Sequence, residues 1–286
     1  MVCHTCIGPE SQGPQLHLRV RARLLQGVLE TYILMNLFTR PLVVLVFSLA
    51  VLWISVQLGG RFRKKLPPPR EDEGSDLGLV INSSLTLLAL IIGFTFSMAV
   101  NRYDQRKNYE EEEANAIGTE YVRADLMPAA DAAKVKSLLT QYLDHRLVFF
   151  TTRDSEELER INGETAQLQD QMWSVVQHAA AVQPTPIMGL VVSGMNDVLN
   201  RQGYTQAAWW NRIPVGAWCL MIILGVCCCL LVGYGSHQEK RFLITIVPFL
   251  LSIAFFLIAD IDSPRRGVIR VSPQNLMSLQ ESLHKP

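Results

Sequence analysis

The residues able to do chemistry in this chain are few and scattered. Six histidines (His4, His17, His145, His178, His237 and His284) stand singly, with no second ligand or acid–base partner at a useful spacing. There is no Gly-x-x-x-x-Gly-Lys-Ser/Thr phosphate loop, no Gly-x-Ser-x-Gly elbow and no His-Glu-x-x-His zinc motif. His145, between Asp144 and Arg146, reads as a solvated helix residue. Cys3 and Cys6 form one Cys-x-x-Cys pair, two ligands where zinc takes four. Cys227, Cys228 and Cys229 sit inside an apolar run, where burial keeps thiols protonated and inert. The chain is therefore not expected to be an enzyme, and no cofactor or metal is expected.

Two acidic groups remain. Glu110 to Glu113 are four consecutive glutamates, one helical turn after Arg106 and Lys107. A cation-binding or regulatory cluster is one reading, but adjacent helical residues point in different directions and cannot converge on one ion. A solvated face with i,i+4 pairs from Arg106 to Glu110 and from Lys107 to Glu111 is expected instead. Asp260 and Asp262 precede Pro264, Arg265, Arg266 and Gly267. This acid–Pro–Arg stretch reads either as a site for a divalent cation or a bridge to a neighbouring helix, or as a helix stop with local ion pairs. Pro264 biases Ser263 away from the helix and so favours the stop.

The elements that hold these residues are set by hydropathy. Of 286 residues 49% are hydrophobic and 18% charged, with Lys plus Arg at 26 and Asp plus Glu at 26. That composition excludes a disordered chain and a nucleic-acid binder working by bulk charge. The apolar residues gather in four runs, Leu37–Leu58, Leu77–Val100, Ile213–Tyr234 and Phe242–Ala259, each about the 20 residues a bilayer-crossing helix needs. None has an ionisable group at its centre, and in lipid such runs must be helices. Residues 1–36 form a leader with no expected fold, 37–100 a first transmembrane pair, 101–212 a helical soluble domain, 213–259 a second transmembrane hairpin and 260–286 a tail. An 18-residue loop, Gly59 to Asp76, stiffened by Pro67 to Pro69, joins the first two spans.

The soluble domain reads as long helices. The second span continues without a break to Met127, with Tyr103, Ala114, Ile117, Tyr121 and Ala124 on one face. Helices over Ala132–Arg153, Ser155–Val182 with Ser155 as N-cap, and Ile187–Arg212 follow, separated at Pro184 and Pro186. The fold class is all-α, a four-span helical membrane protein with a helical extramembrane domain between spans 2 and 3. Basic residues flanking the spans favour the side holding both termini and this domain, so cytoplasmic termini are expected.

At 100° per residue, Asn82, Thr86, Ala89, Gly93 and Ser97 fall on one narrow stripe of the second span, opposite the bulky Leu87, Ile91, Phe94 and Met98. A stripe of small and polar residues either lets helices approach closely or, repeated around a ring, lines a water-filled path. In the second reading Leu90 or Phe96 would form a hydrophobic constriction, and Arg102 at the mouth would concentrate anions.

Three stretches, Gly93–Pro128, Gly189–Pro214 and Ala259–Gln280, resemble in order the signatures of the bacterial bestrophin-like domain family, a likeness reaching from about Asn82 to Leu283. The chain departs from it at Gln206, where relatives carry Arg, and in the leader before Met35. The resemblance implies a multi-pass protein of the inner (plasma) membrane, a homo-oligomer in the lipid bilayer with small ions as its cargo, and no nucleic acid. Bestrophins are four-span oligomeric anion channels, so it also implies an ion channel with the second span lining the path. The alternative is a non-conducting membrane sensor or scaffold whose helical domain binds a cytoplasmic partner.

Overall fold

The computed structural model describes residues 40–65, 71–235 and 241–285. The leader with Cys3 and Cys6, and the prolines at 67–69, lie outside them. All regular structure among the described residues is helical: α1 (Pro41–Lys65), α2 (Glu71–Arg123), a 3-10 turn (Ala124–Leu126), α3 (Ala129–Thr151), α4 (Ser155–Val182), α5 (Pro186–Trp210), α6 (Val215–Gly235), α7 (Arg241–Asp262) and α8 (Gln274–His284). Much of the expected loop after the first span is thus helix, because α1 runs on to Lys65 and α2 starts at Glu71.

Among the described residues four helices are long and apolar enough to cross a bilayer: α1, the first half of α2, α6 and α7. Their packing does not follow chain order. α1 lies between α6 and α7 and packs against both, whereas α6 and α7 touch each other little and α1 makes no extensive contact with α2. Glycines allow the closest of these approaches. A Cβ on Gly59 would overlap the carbonyl of Leu230, and one on Gly233 would overlap that of Val56, so α1 and α6 meet backbone to backbone. Cys228 and Cys229 are buried on α6 as packing groups.

α2 is the spine of the molecule. Its 53 residues rise about 80 Å at 1.5 Å each, passing from the bilayer into the soluble domain without interruption. It packs along α5, α6, α7 and α8. The expected inner face is observed, with Ala114, Ile117 and Ala124 buried and Tyr103 and Tyr121 partly buried against the core. Val135, Leu138, Leu139, Tyr142 and Leu143 complete it from α3. The N-cap of α4 is Asp154 rather than Ser155: its carboxylate accepts the Glu156 N–H at 3.1 Å. The segment after Val271 is not a loose tail. Leu276 of α8 is fully buried, and the helix packs on α2 and α3.

Candidate functional site

The stripe on α2 faces away from the rest of the described residues. Asn82, Thr86, Ala89, Gly93 and Ser97 are all exposed, and so are Leu90 and Phe96 beside them. Nothing lies within 4 Å of where a Gly93 side chain would begin. The Thr86 hydroxyl donates to the Asn82 carbonyl at 2.8 Å, which satisfies it within its own helix. The helix is held on its other side, through Leu88, Thr95 and Ala99. Only 6% of its apolar window is buried within the chain, against 28 to 39% for the other three spans. Leu87, Phe94 and Met98 are exposed as well.

Arg102 does not share the stripe. It is half-buried and its guanidinium donates to Asn211 Oδ1 at 2.7 Å, at the link between α5 and α6. The polar face beyond Ser97 carries Asp104, Lys107 and Glu111, all exposed, and so has charges of both signs.

The exit from α7 is a folded joint. The Asp260 carboxylate accepts the Val268 and Ile269 N–H groups at 2.7 and 2.8 Å, turning the chain back on the helix end. The Asp262 carboxylate accepts the Ile213 N–H from both oxygens at 3.2 Å, tying the end of α7 to the start of α6. Buried Pro264 opens the turn, and Gly267 closes it by donating to the Ser263 carbonyl at 3.0 Å. Arg265 donates to the carbonyls of Phe149 (2.8 Å) and Thr152 (3.2 Å) and lies between the rings of Phe149 and Trp209, at 4.6 and 4.4 Å. Burial, helped by repulsion from Arg146 and Arg212, pushes its pKa down to about 10. Backbone amides thus use the two carboxylates, and Arg265 fastens the joint to the soluble domain.

The glutamate run is not a solvated face. Glu110 accepts from Leu276 N (2.9 Å) and Asn275 Nδ2 (2.7 Å), placing its charge at the N-terminus of α8. Glu112 pairs with Arg201 of α5. Glu113 is fully buried, paired with Arg146 of α3 and accepting from the Thr205 hydroxyl of α5 at 2.8 Å. Glu111 alone is exposed. The directions differ, as helical geometry requires, but three of the four meet distant partners. Arg106 is not their local counter-charge: it is 1% exposed and donates to the carbonyls of Ala208, Asn211, Ile261 and Asp262. His145 is half-buried, 3.7 Å from Glu164.

Sequence reasoning passed over Glu120 and gave Arg146 no role; it read Arg106 and Glu113 as parts of a solvated face and Arg212 as a helix end. Glu120 is fully buried on α2 and neither of its oxygens has a hydrogen-bond partner. It fills the space left by Gly194 of α5, where a Cβ would collide with its carboxyl and with Arg123. Burial, with Asp197 adding repulsion and Arg123 opposing, pushes its pKa up to about 8. A charged residue inside an otherwise apolar helical repeat was the one available signal for these positions.

A family model described as Bestrophin-like domain matches residues 45–276. No curated protein matches the chain. Among solved structures, the chain is similar to a bacterial bestrophin homologue from Klebsiella pneumoniae solved by Zn-SAD phasing, with TM-score 0.58 and 14% identity over 84% of this chain and 96% of that one. A point variant of the Klebsiella pneumoniae homologue gives TM-score 0.58 and 14% identity over 85% and 97%.

Proposed function

This chain belongs to the bestrophin-like domain family, and on that premise we propose that copies of it assemble in the membrane into a ring whose α2 helices surround an ion path. The observation that carries the reading is the outward stripe of α2. Asn82, Thr86 and Ser97 are polar groups at bilayer depth on a face that the protomer leaves open, with Ala89 and Gly93 between them. Polar side chains are costly against lipid tails and are found facing a helix neighbour or water. The Thr86 hydroxyl is already bonded to the Asn82 carbonyl, and another copy or a water-filled path would meet that need for Asn82 and Ser97. Leu90 and Phe96, exposed at its edges, would narrow such a path with apolar surface and close it by dewetting.

Arg102 is engaged with Asn211 and is turned from the stripe, so it does not set the sign of the permeant ion in this arrangement. The residues facing that path beyond the bilayer would be Asp104, Lys107, Asn108 and Glu111, which carry both signs. The sequence similarity to bestrophins supports anions as the cargo. Purified protein in planar bilayers tests the reading: a symmetric oligomer with a conductance altered at Phe96 or Ser97 supports it, and a silent monomer overturns it.

A non-conducting scaffold is the second reading. Val182 at the end of α4 and Ile187 and Leu190 at the start of α5 are exposed apolar residues at the end of the soluble domain far from the bilayer. They would serve a partner protein in the compartment that the domain occupies, and this reading predicts a crosslinked partner without current.

A further inference from the structure

Where α2 leaves the bilayer, α6 enters it and α7 leaves it, the chain gathers more positive charge than it neutralises. Arg102 and Arg106 on α2 and Arg212 before α6 lie near enough to act on one another electrostatically, and Arg266 after α7 acts on Arg212. The Asp262 carboxylate acts on Arg102, Arg106 and Arg212. Three guanidiniums therefore meet around one acid. Their described hydrogen bonds go to neutral acceptors: Arg106 to four backbone carbonyls, Arg212 to the Asp262 carbonyl and Arg102 to the Asn211 side chain. The Asp262 carboxylate is itself occupied by the Ile213 N–H, and that of Asp260 by Val268 and Ile269. Asp104 stands exposed on the stripe side of α2.

The outer edge of this junction has the surface that a lipid would need. Arg266 and Arg270 are exposed. Between them Val268 is 81% exposed and Ile269 is 39%, while Trp210 at the end of α5 is 72% exposed. Asp260 holds Val268 and Ile269 level with the end of α7, which is the depth of the headgroups. Tryptophan and arginine at that depth suit a boundary that is apolar on one side and phosphate-rich on the other. Basic clusters between span ends are the usual recognition chemistry for anionic headgroups.

We propose that this junction binds the phosphate of an anionic phospholipid in the leaflet adjoining the helical domain. Arg102, Arg212, Arg266 and Arg270 receive the headgroup, and Trp210, Val268 and Ile269 seat against its glycerol and upper acyl chains. Buried Arg106 holds the field that draws the phosphate in. The same guanidiniums would attract a soluble phosphate; the exposed apolar residues at headgroup depth select the lipid. Because the joint also fastens α2 to α6 and α7, a bound lipid braces the three span ends together. The proposal stands apart from conduction and holds for a channel or a scaffold.

The test is a titration of the purified full chain with phosphatidylglycerol or phosphatidylcholine, read as retained lipid by native mass spectrometry and as a shift in thermal midpoint. Phosphatidylglycerol should bind more tightly and raise the midpoint. Arg266→Gln and Arg270→Gln should each weaken it by about fivefold, the effect of one arginine near an anionic surface. Lys64→Gln with Lys65→Gln, at the opposite end of the spans, should leave it unchanged. Val268→Ser should weaken lipid binding without changing any response to inorganic phosphate. Should Arg266→Gln fail to fold, Arg270→Gln carries the comparison. Equal binding of the two lipids, wild-type affinity in Arg270→Gln, or an equal shift with inorganic phosphate alone would overturn the proposal.

Discussion

Glu113 of α2 and Arg146 of α3 form an ion pair with both side chains fully buried, and Thr205 of α5 donates to the same carboxylate at 2.8 Å. Burial opposes the Arg146 charge, but Glu113 outweighs it and holds the guanidinium's pKa above its usual value. The rings of Phe149 and Phe150 lie at 4.2 and 6.0 Å from the guanidinium carbon. Two helices of the soluble domain, α3 and α5, are thereby joined to the helix that carries the stripe.

Removing one partner of this pair leaves an uncompensated buried charge. Glu113→Ala should destabilise the protein by roughly 3–5 kcal/mol, while Glu113→Leu combined with Arg146→Met should cost much less than either change alone. Thermal unfolding of the detergent-solubilised variants, followed by circular dichroism, measures both. A double variant no better than the singles would count against an isolated pair as the source of the cost.

Glu120 gives the domain a pH dependence with a definite sign. Its carboxyl ionises near 4.5 when unfolded and near 8 in the fold, so folding takes up a proton between those values. Its contribution is complete below about pH 4.5 and is lost as pH rises through about 8, on the order of a few kcal/mol in all. Glu120→Gln keeps the neutral form and should flatten this part of the profile while preserving stability at neutral pH. Midpoints measured for both proteins from pH 5 to about pH 9 decide it.

The contact of α1 with α6 depends on two glycines. A side chain at Gly59 or Gly233 meets a backbone carbonyl, which cannot rotate away as a side chain can. Gly59→Val and Gly233→Val should each cost about 1–3 kcal/mol or more by overpacking. Gly93→Ala, with open space around it in the protomer, should leave monomer stability nearly unchanged. In the assembled ring the same change should disturb subunit packing, read as a loss of oligomer in native mass spectrometry.

If copies of α2 enclose a path, its apolar constriction should resist wetting. Phe96→Ser or Leu90→Ser should raise the open current in planar bilayers, and Ser97→Phe should lower it. Reversal potentials under an ion gradient give the sign of the permeant ion. Unchanged currents in all three variants would move the path away from this face.

What the chain determines by itself is local. A run of about 20 apolar residues is enough to favour a bilayer-crossing helix, and a sustained 3.6-residue repeat is enough to carry α2 from Glu71 to Arg123. The helical class and the inner face through Ala114, Ile117 and Val135 follow from such patterns. Proline at 264 and the acids before it mark the turn after α7, although nothing local tells that Asp260 caps Val268 while Asp262 reaches Ile213. Tertiary structure decided the rest, because those choices join residues far apart in the chain. Glu113 and Arg146 are 33 residues apart, and Arg106 and Ile261 are 155 apart. A glutamate in a helical repeat looks the same whether it faces water or a buried arginine. The energy that separates the two comes from desolvation, which exists only once the helices have packed.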